Sequence, residues 1–282
     1  MRYAEVLEAV IAAPTVPEKA ILLRDLVPED GAWPMPQLPE QPGRPADLRI
    51  VTDPPRRRRG LSDSRARARF LHAIWHIEVS AIDLAVLICL RASGAPRALH
   101  EDFLKIAREE AEHATLVADL LTAEGFPPGS DPVHHRLWDA ARTCVDLGEQ
   151  LVVIPRFLEA RGLDVSAELL PRLAAIHAPS HQVIARIYQD EIGHVGIGTR
   201  WHRWWCEEQA LNPVGHFTAV IQARFADQLP SPFALDRPGR ATAGFAAEEL
   251  AALEATSSRP PRPPGPPGAS SVSSGPRGRP ND

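Results

Sequence analysis

"YQDEIGHVGIG", residues 188–198, sets Glu191 three positions before His194 among apolar neighbours. Upstream, "AREEAEHATLV" (107–117) repeats the arrangement with Glu110 and His113. Residues three apart are neighbours on one face of a helix, so each Glu-x-x-His pair can address a single point. The surrounding pattern predicts that both pairs lie on apolar helix faces. In one stripe are Phe103, Ile106, Val117 and Leu120; in the other are Ile184, Ile187, Val195 and Gly198. A third long helix, expected from about Ser62 as N-cap to Arg91, carries Glu78 inside the stripe of Phe70, Ile74, Ala81, Ala85 and Cys89.

Ionised carboxylates in a helical core are costly unless paired or bound to a cation. Several together with two imidazoles call for metal. Carboxylate oxygen and imidazole nitrogen suit iron or manganese, and no cysteine joins the set to suggest structural zinc. A two-metal helical bundle draws one glutamate from each of two helices and a Glu-x-x-His from each of the other two. One more glutamate is therefore needed, from the helix expected between Val133 and Gly162, with Glu149 and Glu159 as the choices. Glu78 precedes Glu110 by 32 positions and Glu159 precedes Glu191 by the same 32, which selects Glu159. The expected ligands are Glu78, Glu110, His113, Glu159, Glu191 and His194. Asp190 and Glu109, each just before a motif glutamate, are placed to orient the opposite helix's histidine: Asp190 to His113 and Glu109 to His194. Tyr188, one turn before Glu191, is a further catalytic candidate, although a packed ring with a satisfied hydroxyl is the commoner use.

The rest of the chain is consistent with a bundle. With 282 residues, 44% of them hydrophobic, there is enough for one sizeable core. Strand signals are nearly absent, and long helices joined by short turns predict an all-α, up-and-down four-helix bundle. Pro155 should kink the third helix, Gly162 should end it, and a short helix should follow over residues 167–177, capped by Ser166. The last long helix should run from Ser180 to Gln209, with another after Pro213. The N-terminus reads as two short helices broken at Pro14 and Pro17. Residues 31–60 are proline-rich and read as an extended arm. The segments are 1–60, N-terminal helices and arm; 61–229, the bundle; 230–256, a C-terminal wrap; and 257–282, a disordered Pro/Gly/Ser/Arg tail.

A net charge of −5 argues against general nucleic-acid binding, and the basic run "PPRRRRG" (54–60) lacks interleaved aromatics. Cys89, Cys144 and Cys206 fit no zinc or disulfide spacing and suit a reducing, cytoplasmic setting. No signal peptide is read at the N-terminus, and the apolar run at Leu84–Leu90 looks too short to span a membrane. Asp83 reads as a polar partner inside the bundle, His72 and His76 as partly exposed or hydrogen-bonded, and "WHRWWC" (201–206) as an aromatic cluster against the N-terminal arm.

The stretches "PGRPADL" (42–48), "FLHAIWHIEVSAIDLA" (70–85), "AREEAEH" (107–113), "PRFLEARGLDV" (155–165) and "IYQDEIGHVGIGTRWHRWWC" (187–206) resemble a bacterial family of ferritin-like proteins of unassigned function. "SPFALDRPGRATAGF" (231–245) is a weaker echo. The superfamily includes tRNA hydroxylases, ribonucleotide reductase small subunits and multicomponent monooxygenases. The resemblance implies a ferritin-like di-metal bundle and supports Glu159 independently, because "LEARGLDV" stands where the family has its third-helix glutamate. The expected function is O2-dependent oxidation of a small organic substrate at two iron ions, with an iron–manganese or manganese–manganese pair as variants. An electron donor and a monomer or homodimer fit this reading. Metal storage or ferroxidase activity, and RNA hydroxylation, are the alternatives.

Overall fold

The computed structural model describes residues 2–34, 37–52, 60–225 and 234–257, and all structural statements concern these. The basic run 54–60 (apart from Gly60) and the tail from residue 258 lie outside them. The described residues are helical, with the pair Ile50 and Val133 as their one β-bridge.

Four helical rods carry the site. The first, α3 (Ser64–Arg91), follows two N-terminal helices, α1 (Tyr3–Ala12) and α2 (Val16–Arg24). Its cap is Asp63 and not Ser62: the Asp63 carboxylate accepts from the Ala66 amide at 2.8 Å. Residues 92–96 turn the chain into α4 (Arg97–Ala123). The two run antiparallel. Arg67 meets Glu124 at 3.2 Å at one end, and Cys89 Sγ donates to the His100 carbonyl at 3.8 Å at the other.

The third rod departs from the expectation. A separate helix, α5 (Arg136–Arg142), comes first, and then α6 (Leu147–Val153), a π-helical segment (Ile154–Glu159) and α7 (Ala160–Ile176) follow without interruption. Gly162 does not stop the helix, and residues 167–177 do not form one of their own. Leu163, Leu169 and Leu173 bury one face of α7, which outweighs the roughly 1 kcal/mol that a glycine costs inside a helix. Pro155 has no N–H to continue the α-ladder; the chain widens into a π-turn there. The fourth rod, α8 (Ala178–Glu208), returns antiparallel to the third. Its approach is close. A Cβ on Gly198 would lie 2.3 Å from the Pro155 ring, and one on Gly148 would lie 2.4 Å from Trp205.

Outer elements are fastened by buried ion pairs. Pro17 sits in the first turn of α2 and does not break it. Lys19 Nζ donates to the Val10 carbonyl (2.7 Å) and to Asp83 (2.6 Å), and Arg44 of the arm reaches the other Asp83 oxygen at 2.7 Å. Asp83 is thus the internal polar partner expected. Beyond α9 (Pro213–Phe225), helices α10 (Arg237–Thr242) and α11 (Ala247–Ser257) are tied back by Arg240–Asp164 at 2.8 Å and Arg156–Glu249 at 2.6 Å. His72 and His76 are buried, not partly exposed; His72 Nε2 accepts from the Gly129 amide at 3.0 Å. The aromatic run packs on α4, α6 and α9: Trp201 donates to Asp102, and Trp205 covers Gly148 and the His216 ring.

By length and composition α3 would pass for a membrane span, contrary to the expectation from Leu84–Leu90. Its apolar stretch is 83% buried by protein, as suits a core helix. Along α3, Leu71 to Val79 belong to one apolar cluster and Ile82 to Leu90 to another; on α4 the same change falls between Ala111 and Ala114. Glu78, Glu110 and His113 stand at that junction.

Candidate metal centre

Glu78 (α3), Glu110 and His113 (α4), and Glu191 (α8) are all buried, and their ligand atoms lie within 4.8 Å of one another. His113 Nδ1 is 3.5 Å from a carboxylate oxygen of both Glu78 and Glu110. His194 completes the facing side. Its Nδ1 is 2.9 Å from Glu110 Oε1 and 3.7 Å from Glu191 Oε1, and the two imidazole centroids are 5.7 Å apart. These contacts are close without being hydrogen bonds. Both Nδ1 atoms, both Glu110 oxygens and Glu191 Oε2 are buried with no hydrogen-bond partner.

Glu159, the last residue of the π-segment, joins them electrostatically. Its Oε2 is buried without a partner, and after burial the charges of Glu191 and Glu110 are what raise its pKa well above the carboxylate range. Glu149 is elsewhere. It accepts from the Val145 amide in the first turn of α6 and lies 3.6 Å from Arg224. Of the two candidates, Glu159 is the one with a buried carboxylate oxygen lacking a partner.

The outer ends of both rings are held as expected. His113 Nε2 is 3.1 Å from Asp190, and His194 Nε2 is 2.9 Å from Glu109. Ionised carboxylates only accept, so each Nε2 carries a proton, and in the neutral ring that leaves the Nδ1 lone pair facing the glutamates. Two further residues escaped the sequence reading. Arg186 braces Asp190 at 2.6 Å and Lys105 braces Glu109 at 2.7 Å, both with i, i+4 spacing that could have been noticed. Tyr188 is not drawn into the group; its hydroxyl donates to Asp236 at 2.7 Å.

Charge is the test of fit. With only protons to neutralise them, burial and then the Glu110 charge push Glu78 well up, and burial likewise raises Glu191. Burial opposes protonation of His113, but Glu110 and Glu78 overcome it and lift the ring to about 11; Glu109, Glu110 and Glu191 do the same for His194. Glu110 is lowered in turn, because His113 and His194 outweigh its burial. Four carboxylates and two neutral imidazoles match the charge of two divalent cations, and the unpartnered atoms are the ones that would ligate them.

A second group, the buried His202 and Cys206 with the half-buried His216, also has ligand spacing. His202 Nε2 is 2.9 Å from His216 Nδ1 and 3.5 Å from Cys206 Sγ. Arg156, however, lies 2.8 Å from His202 Nδ1 and can only donate. That puts the ring proton on Nε2, the atom a cation would need. The group is a hydrogen-bonded chain from Glu249 through Arg156 and His202 to His216.

The fold and the site define an all-helical protein with a buried carboxylate–imidazole group that could hold metal. A family model described as protein of unknown function (DUF455) matches residues 12–251, and the chain belongs to that family. A protein of Haemophilus influenzae, described as an uncharacterized protein, is 32% identical over 206 residues, covering 70% of this chain and 68% of that one. No solved structure matches the chain.

Proposed function

We propose that the protein is a ferritin-like di-metal bundle acting as a non-haem dinuclear iron oxidoreductase, which uses O2 to oxidise a small organic substrate. The observation that carries this reading is the buried group Glu78, Glu110, His113 and Glu191, drawn together from three helices, with unpartnered oxygen and nitrogen atoms on Glu110, His113 and Glu191. Glu78, Glu110, His113, Glu159, Glu191 and His194 would hold the ions. The pair of irons would supply O2 activation and electron transfer to and from it.

The chain's own contribution is to prepare and protect that chemistry. Asp190 and Glu109 keep the protons on the outer nitrogens of His113 and His194, which fixes each ring's tautomer and raises its basicity. The glutamate side chains would hold the ions and could shift with them as charge changes. The apolar clusters on either side of the group keep bulk water away and strengthen every charge interaction within it. An external electron donor would restore the reduced state between turnovers.

The test is elemental analysis of protein expressed with ample iron and purified without chelator. It is followed by anaerobic Fe(II) loading and exposure to O2 while the absorption spectrum is recorded. Two metal ions per chain and an O2-dependent spectral change are expected. One zinc per chain, with no response to O2, would overturn the reading.

A further inference from the structure

A concavity of about 560 Å³ lies between α2, α4 and α8. Three guanidinium groups, those of Arg24, Arg108 and Arg186, line it together with one carboxylate, Glu112, and His113 forms part of its wall. Among the described residues neither Arg24 nor Arg108 is ion-paired with a carboxylate. Arg24 ends α2 and is exposed. Arg108 spends some of its N–H donors on the last carbonyls around α2, those of Leu23 (2.9 Å) and Leu26 (2.6 Å), and has others left. Arg186 uses Nε on Asp190 and keeps its terminal nitrogens. The remaining wall includes Ala20, Ala111 and Leu116, small or apolar side chains that suit a short hydrocarbon body.

We propose that this pocket binds a small organic oxyanion, a carboxylate or a phosphate ester, with its charged end between Arg24, Arg108 and Arg186. Planar guanidinium forks match such oxygens better than any other side chain. A larger concavity of about 640 Å³ beside α10 also contains two arginines, but there Arg200 is committed to Asp102 and Arg203 to the Gly244 carbonyl. The pocket meets the candidate metal centre through its wall. Arg186 holds Asp190, and Asp190 holds His113 Nε2. An oxyanion on the terminal nitrogens of Arg186 shares that guanidinium's charge with Asp190, so occupancy bears on how firmly His113 can ligate. This consequence rests on the metal reading; the binding does not.

Calorimetric titration of metal-free and metal-loaded full-length protein, at fixed ionic strength, with inorganic phosphate and separately with butyrate, tests both parts. One saturable site per chain is expected. Arg24→Gln and Arg186→Gln should each weaken it about tenfold, and Arg200→Gln should leave it unchanged. Saturation by phosphate alone assigns a phosphate ester; saturation by butyrate alone assigns a carboxylic acid. Metal affinity should respond to the bound anion in the wild type and not in Arg186→Gln. If neither probe saturates, or either Arg24→Gln or Arg186→Gln binds like wild type, the proposed site is wrong. Because the metal-free titration does not involve the centre, its failure leaves the metal reading standing. A one-zinc result would equally leave the oxyanion site standing.

Discussion

Glu109→Ala separates a ligand-orienting carboxylate from an ordinary surface charge. In the wild type, Glu109 Oε2 is 2.9 Å from His194 Nε2, and Lys105 Nζ reaches both Glu109 oxygens at 2.7 and 2.8 Å. The hydrogen bond to His194 is the main reason its carboxyl is held down at about 2. Removing such a partner from a metal-ligating histidine costs about 10–100-fold in metal affinity, or about 1.4–2.7 kcal/mol. Position within that range follows from exposure. The His194 side chain is 1% exposed, but that of Glu109 is 24% exposed, so water can enter behind the truncated side chain and accept the Nε2 proton. The loss should therefore be about tenfold, near the lower end. Competition titration with Mn(II), reading free ion by electron paramagnetic resonance, measures it. Glu101→Ala, which removes an exposed partner of Arg97 on the same helix, is the control. Circular dichroism should show the helices intact in both variants. If Glu109→Ala bound metal as tightly as the Glu101→Ala control, the orienting role would be wrong.

Glu159→Gln should lower metal occupancy or affinity while Glu149→Gln leaves it unchanged; two tightly bound ions in the first and loss in the second would sink the Glu159 assignment. Gly198→Ala places a methyl group where Pro155 stands and should destabilise by about 1–3 kcal/mol. A thermal midpoint lower by roughly 2–12 °C is expected, and an unchanged midpoint would mean that the helices part without cost. Burial raises Tyr3 above its ordinary 10.0 and Cys89 from 9.0 to about 12. The unfolded chain therefore releases these protons before the folded one does, and stability falls as pH rises from about 9. Tyr3→Phe should flatten the part of that fall above pH 10 in urea titrations; a slope equal to wild type would count against it.

The centre was legible because its information is local. Glu-x-x-His puts two ligands on one helical face whatever the rest of the chain does. The crossed pairs Asp190–His113 and Glu109–His194 follow once two such faces are opposed. The third rod was less legible. Its course depends on Leu163, Leu169 and Leu173 finding partners and on a π-turn at Pro155, which no single-residue propensity encodes. The 32-position offset that selects Glu159 spans unlike geometry in the two halves of the chain. From Glu78 the chain runs 13 residues to the end of α3, and 13 more lead from the start of α4 to Glu110. From Glu159 it runs 17 residues to the end of α7, crosses His177 alone, and takes 13 from the start of α8 to Glu191. The second path is longer in helix by four residues, about 6 Å, and shorter in turn by the same count. Equal offsets therefore do not mean equal geometry. What associates Glu159 with the group is its buried, unpartnered oxygen and the charges of Glu191 and Glu110 acting on it.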